Sequence, residues 1–273
     1  MKTTPLKVSA QPRTAAVVGM AALWALAGCG GGGGSDSSGG STSGGGAAAP
    51  VNASTGGIWN GTDQATGLAL VGLVTETGEF HFIRSDDTQY FGTLTTSGNN
   101  VSGNLTGVTA VGYMFPDGST TGTGTYTGTV QARATLNGSV RFTTQRGETA
   151  TGNSTLTFNS VYNQSSSLAK IAGNYRDLDT NAVINLSSNG VIFTQDPVTG
   201  CLTNGVVAVI NSSYNAYRIE YSFTGCRAPY TRLNGTTARG LATLDTTTSP
   251  NRAVIGVVNA SAGYSLAGAY PRI

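Results

Sequence analysis

The chain has 273 residues, with 15 Lys or Arg against 13 Asp or Glu, a formal net charge of +2. Lys2, Lys7 and Arg13 precede an apolar run, Ala15 to Ala27, with the pattern of a secretory signal and too little length to span a bilayer; losing these three charges leaves 2 − 3 = −1, so charge gives no ground for a nucleic-acid or anionic-lipid partner. Only 10% of residues are charged, against about 25% in an average soluble domain, so Thr, Ser, Asn and Gly must supply the polar surface, which argues against long helices.

The apolar run ends in Leu26-Ala27-Gly28-Cys29, which resembles the lipobox of bacterial lipoproteins. The resemblance implies that residues 1–28 are removed and that Cys29 is acylated, palmitate included. Gly30 rather than Asp after that cysteine implies release to the outer membrane, without saying which side the protein faces. Residues 29–55 then form the lipidated cysteine and a tether. Its Gly/Ser-rich stretch, Gly30 to Pro50, buries too little apolar surface to offset the entropy of ordering. A flexible chain of this length reaches roughly 25 Å.

From Gly56 onward, short period-two segments alternate with turn signals. Phe80 and Phe82 alternate with Glu79 and His81, and Thr125 to Val130 alternates likewise. Tyr217, Ile219, Tyr221 and Phe223 oppose Arg218, Glu220, Ser222 and Thr224. Asp117-Gly118, Asn137-Gly138, Asn189-Gly190, Asn204-Gly205 and Asn234-Gly235 are the expected tight turns, because these pairs accept positive φ cheaply. A weak repeat divides the region. Gly57-Ile58-Trp59 is echoed by Gly173-Asn174-Tyr175, Gly78-Glu79-Phe80-His81-Phe82 by Gly190-Val191-Ile192-Phe193, and Leu136-Asn137-Gly138 by Leu233-Asn234-Gly235. The expected domains are therefore 56–165 and 166–273, joined near Ser160 to Ala169.

About eight strands per half, in consecutive hairpins, predict an all-β protein of two tandem antiparallel up-and-down eight-stranded barrels or barrel-like sandwiches. The glycine-plus-Trp59 opening resembles the first strand of lipocalin and avidin-like barrels. Gly122-Thr123-Gly124-Thr125-Tyr126-Thr127-Gly128 is similar to a strand of the transferrin-binding-protein-B-like surface lipoproteins, whose lobes carry eight-stranded barrels. A barrel inserted in the membrane is disfavoured by the lipobox and by the ending Tyr270-Pro271-Arg272-Ile273, since outer-membrane barrels resemble one another in ending on an aromatic residue. Ala253 to Val258 is apolar on both faces, as one buried strand would be.

Three cysteines leave Cys201 and Cys226 once Cys29 takes lipid, and an oxidising envelope favours their pairing. Two free thiols or a metal pair are the alternatives, but no nearby His or Cys completes a zinc site. His81, the single histidine, is expected on the exposed face of its strand; a Ser-His-Asp set is the competing reading. No glycine-x-serine-x-glycine elbow occurs. Asp177-Leu178-Asp179-Thr180-Asn181 opens like a calcium loop but has Ala182 and Ser188 where glycine and glutamate are needed, so a polar turn is expected, as at Asp86-Asp87. Nothing links any two of Glu76, Glu79, Glu148 and Glu220 as a glycosidase pair.

Two loops are candidate binding elements. Tyr113, Met114 and Phe115 beside Pro116-Asp117-Gly118 either plug barrel one or dock a partner. Arg227, Tyr230 and Arg232 follow Cys226 and carry residue types frequent at interface hot spots; the plainer reading is a surface loop. The expectation is a membrane-anchored, non-enzymatic envelope lipoprotein that binds a small molecule or an envelope protein, with no cofactor, metal or nucleic acid. An envelope hydrolase using His81 or a carboxylate pair, or an assembly factor with both barrels filled, are the alternatives.

Overall fold

The computed structural model describes residues 52–273. The signal segment, Cys29 and most of the tether lie outside the described residues. Sixteen strands follow one another as antiparallel hairpins, and neighbours in the sheets are neighbours in sequence. Strands β1 (Gly57–Asp63), β2 (Ala69–Val74), β3 (Glu79–Arg84), β4 (Gln89–Ser97), β5 (Asn100–Val108), β6 (Thr121–Gln131), β7 (Thr135–Thr144) and β8 (Thr149–Asn159) form the first barrel, closed by pairing of β1 with β8. The chain then crosses through a 3-10 turn (Ser160–Asn163) and a one-turn helix, α1 (Leu168–Ile171), whose first turn is capped by the Ser167 side chain.

The second sheet comprises β9 (Gly173–Arg176), β10 (Val183–Leu186), β11 (Val191–Gln195), β12 (Leu202–Val209), β13 (Tyr217–Thr224), β14 (Thr237–Asp245), β15 (Arg252–Asn259) and β16 (Tyr264–Pro271). It is nearly closed: Tyr175 bridges Arg272, and the Ile273 N–H donates to the Asn174 carbonyl at 2.9 Å. The protein is all-β with two eight-stranded antiparallel barrels, one closed and one nearly so.

Alternation sets the two cores. Phe80, Phe82, Leu105, Tyr126, Phe142 and Leu156 fill the first, while Tyr217, Ile219, Tyr221 and Phe223 project together into the second. Trp59 and Tyr175, each third in the first strand of its barrel, are fully buried. Gly78 and Gly190 are equivalent too. Both have φ of +85° before the third strand, where a side chain would strike the backbone carbonyl of Leu94 or Val207. The third echo fails: Leu136-Asn137-Gly138 lies within β7, whereas Leu233-Asn234-Gly235 belongs to the β13–β14 connection.

Two expected turns are strand interiors instead. Asn137-Gly138 sits in β7 and Asn204-Gly205 in β12. The glycines serve packing rather than φ. A Cβ at Gly138 would lie 2.3 Å from Tyr126 Cζ, and one at Gly205 would lie 2.7 Å from Tyr221 Cδ1, so each glycine makes room for an aromatic ring. Asp117-Gly118, Asn189-Gly190 and Asn234-Gly235 occupy connections, each glycine with positive φ.

The barrels pack side against side. The Gln89 Nε2 donates to the carbonyls of Leu266 (2.7 Å) and Val257 (3.2 Å), and Ile83 lies against Gly256. Ser265 N–H donates to the Thr109 carbonyl, and Val111 packs on the second core, so the β5–β6 connection of barrel one covers part of the seam in barrel two. Ile58, Leu73, Val161, Tyr162, Ala216 and Leu241 form a third apolar cluster drawn from both barrels. Arg133 adds to it, with its guanidinium over the rings of Tyr162 and Tyr214 at 4.9 and 5.0 Å.

Candidate functional site

The interiors of the barrels differ. Barrel two encloses a space of about 10 Å³ among Tyr175, Tyr221, Tyr270 and aliphatic side chains. Barrel one encloses about 130 Å³. The reason lies in the inward positions of β5 to β8, many of which are glycine. Phe142 folds over Gly107 and Gly122, and Tyr126 over Gly138. The rings form the wall and leave the centre empty, whereas the four large side chains of β13 fill the second barrel.

The cavity is reached through a lateral slot. The register of β1 with β8 ends at Asp63 opposite Ser154, with one further bond from the Gln64 N–H to the Asn153 carbonyl (2.9 Å), but β8 begins at Thr149, so its first residues run on beside the β1–β2 loop. Ala150, Thr151, Gly152 and Asn153 on one side, and Asp63, Ala65 and Thr66 on the other, line the opening. The end of the barrel above it is roofed by Phe115, whose ring lies 5.3 Å from that of Phe142. At the far end, Trp59 Nε1 donates to the Thr55 carbonyl and Ala53 packs on the core, so the chain enters the barrel opposite the slot.

One ion cluster guards the slot. Arg84 donates to both carboxylate oxygens of Asp86 (3.0 and 2.7 Å), to Asp63 (3.4 Å) and to the Tyr90 hydroxyl (3.2 Å). Burial would lower the Arg84 pKa, but the hydrogen bond and charge of Asp86 outweigh it and the pKa is raised. Burial likewise opposes ionisation of Asp86, and Arg84 overcomes it, so this carboxyl titrates below its usual range. Within this cluster one cation faces two carboxylates. Deeper in, burial pushes the Tyr126 phenol up to about 12, with neighbouring Ser154 pulling the other way. The Tyr126 hydroxyl is buried, with Ser154 as its polar neighbour.

The sequence-derived candidates fall elsewhere. Tyr113 and Met114 are exposed, at 48% and 66%, while Phe115 between them and the barrel is half buried, so one tripeptide divides between outward and roofing positions. Cys201 and Cys226 lie at disulfide-bonding distance, with Cα atoms 4.0 Å apart. Beyond them Arg227 and Arg232 are exposed, and Tyr230 packs against the second core. Asp177 turns back on itself, its Oδ1 accepting from the N–H groups of Asp179 and Thr180. Among the described residues no cluster of three His, Cys, Asp or Glu is placed to hold a metal.

His81 requires a correction. It does face away from Phe80 and Phe82, but it is only 6% exposed, because barrel two covers that face of β3. Its ring stacks on Phe91 at 5.5 Å. Burial lowers its pKa to about 4, against the opposing effects of Gln89 and Glu79. Sequence reasoning also passed over Arg84, Tyr90, Tyr126 and Phe142. The available signal was the run Gly122-x-Gly124-x-Tyr126-x-Gly128, in which inward positions without side chains surround one aromatic residue. The chain matches no protein-family model, and no curated protein is significantly similar to it.

Proposed function

We propose that the chain is a non-enzymatic, membrane-anchored envelope lipoprotein whose first barrel binds a small, largely apolar ligand and whose second barrel is its rigid support. The observation that carries the reading is the contrast between interiors, about 130 Å³ in one barrel and about 10 Å³ in the other. An apolar cavity near 150 Å³ is large enough for a benzene-sized guest. A ring or a short branched chain fits; a long acyl chain does not. Apolar-in, polar-out alternation on β4 to β8, with Thr93, Thr95, Ser102, Asn104, Thr125 and Thr127 outside, is the reverse of a lipid-facing barrel and supports a folded part standing off the membrane. An anchor at Cys29 would enter through residue 52, at the end opposite the slot, leaving the slot clear.

Native mass spectrometry of the full chain purified from its own host tests this reading. The expected result is a small adduct on the wild type that is absent from Ala150→Trp, a rim substitution that fills the slot without entering the core. A wild type that carries no adduct and takes up no toluene from solution overturns it. Exposure of Tyr113 and Met114 favours a second role for that loop in docking a protein partner. Its mark would be loss of a co-purifying protein in Tyr113→Ser/Met114→Ser with ligand uptake unchanged.

A further inference from the structure

We infer that the ligand of barrel one is a small amphiphile, with an apolar body the size of one ring in the cavity and a singly charged oxyanion head outside the slot, held by Arg141. This rests on the binding reading above and names the end of the ligand that the cavity leaves outside. The apolar space and an outer groove of about 470 Å³ meet at the slot, because Ala65, Val140, Thr151, Gly152 and Asn153 line both. Position 152 keeps them joined. A Cβ there would meet Asp63 Oδ1 at 3.3 Å and Ala65 Cβ at 3.7 Å, so any side chain would bridge the two lips of the slot. About 130 Å³ takes one ring, and whatever else the ligand carries lies in the groove.

The groove is polar, and Arg141 is the one charged residue that lines it. Arg141 projects outward from β7 between Thr125 of β6 and Thr151 of β8, with Ser139 and Thr143 beside it on its own strand. Its diagonal neighbours, Thr123, Thr127, Thr149 and Asn153, are neutral as well. The other arginines of barrel one are engaged: Arg84 with Asp63 and Asp86, Arg133 with Glu76, and Arg146 with the Asp117 carbonyl. Among the described residues Arg141 has no such partner. A guanidinium offers paired N–H donors that match the two oxygens of a carboxylate or sulfonate. One free cation sets the head at one charge. Because the groove is open to water, the head keeps much of its hydration while the body alone is desolvated.

Three ligands of one shape and different charge test this: 3-phenylpropanoate, 3-phenylpropanamide and 3-phenylpropylamine. Each is titrated by NMR into the full chain, as wild type, Arg141→Gln and Arg141→Lys. The ratio of carboxylate to amide affinity is expected to fall by about 5- to 10-fold in Arg141→Gln, the worth of one ion pair hydrogen-bonded at a wet rim. Arg141→Lys, which keeps the charge, should retain most of the preference. Arg141 lies on the outer face and does not line the cavity, and binding of the amide reports that the cavity is intact in each variant. An unchanged ratio with both ligands bound overturns the inference and leaves the binding reading standing. Tighter binding of the amine than of the carboxylate does the same, since it would assign the head to Asp63. If none of the three enters the wild type, both fall together.

Discussion

An imidazolium at position 81 would have to exist between two barrels, stripped of water, and this fixes how the protein responds to acid. His81 has a folded pKa of about 4, below the ordinary value of 6.5. Protons therefore bind the unfolded chain first, and stability is full above 6.5 and lost as pH falls towards 4. Between pH 7 and pH 5 the expected loss is about 2 kcal/mol. Denaturant titrations at the two pH values check it, and His81→Gln should flatten the difference; an equal loss in that variant would assign it to other groups. At the same scale, Gly205→Ala should cost about 1–3 kcal/mol, because its Cβ has no room beside Tyr221 and the Glu220 carbonyl. These two residues also show where the sequence stops speaking. The outward direction of His81 was legible from its period, but the second barrel that covers it was not. Asn-Gly was legible as a pair that accepts a turn, but whether glycine is there for φ or for a neighbour's ring depends on strands remote in sequence.

The β5–β6 connection shows how much one element can divide. Tyr113, Met114 and Phe115 read alike in sequence as apolar residues in a polar loop. Asp117 anchors the loop by accepting from the Ser119 N–H (2.9 Å) and from the Ser119 and Thr144 hydroxyls. That anchoring turns Phe115 onto Phe142 and leaves its two predecessors in solvent. Phe115→Ala should therefore lower stability by about 2 kcal/mol, roughly half the cost of a fully buried Phe. Met114→Ser should stay within about 0.5 kcal/mol. Thermal unfolding of both variants separates a roof from a surface loop, and equal losses would contradict the division. In barrel two, Cys201 and Cys226 are 25 residues apart and tie the β11–β12 turn to the start of the β13–β14 connection. Cys201→Ser/Cys226→Ser should cost about 3.5 kcal/mol on the chain-entropy account. The pair was legible from cysteine count and the envelope location expected from the lipobox resemblance; the loops it joins required the register.

At the scale of the molecule, two barrels that share buried side chains should behave as one. Gln89 of the first barrel is fully buried and donates to two carbonyls of the second, and Val111 packs into the second core. Unfolding followed by Trp59 fluorescence, which reports barrel one, should coincide with unfolding followed by far-ultraviolet circular dichroism, which reports both. Ile83→Asp, placing a charge against Gly256, should separate the two curves. Strand number, antiparallel order and barrel class were legible from period-two patterning. The pairing of one filled barrel with one hollow barrel was not, because cavity volume depends on how rings from β6 and β7 fold over glycines on their neighbours.

The central claim is that barrel one holds a ligand-sized apolar space reached from solvent and barrel two does not. Crystals of the protein pressurised with xenon test it most directly. The account predicts one xenon site bounded by Phe80, Phe82, Phe142 and Leu156, absent in Ala150→Trp, and none inside barrel two. An empty first barrel, or xenon within the second, would contradict it.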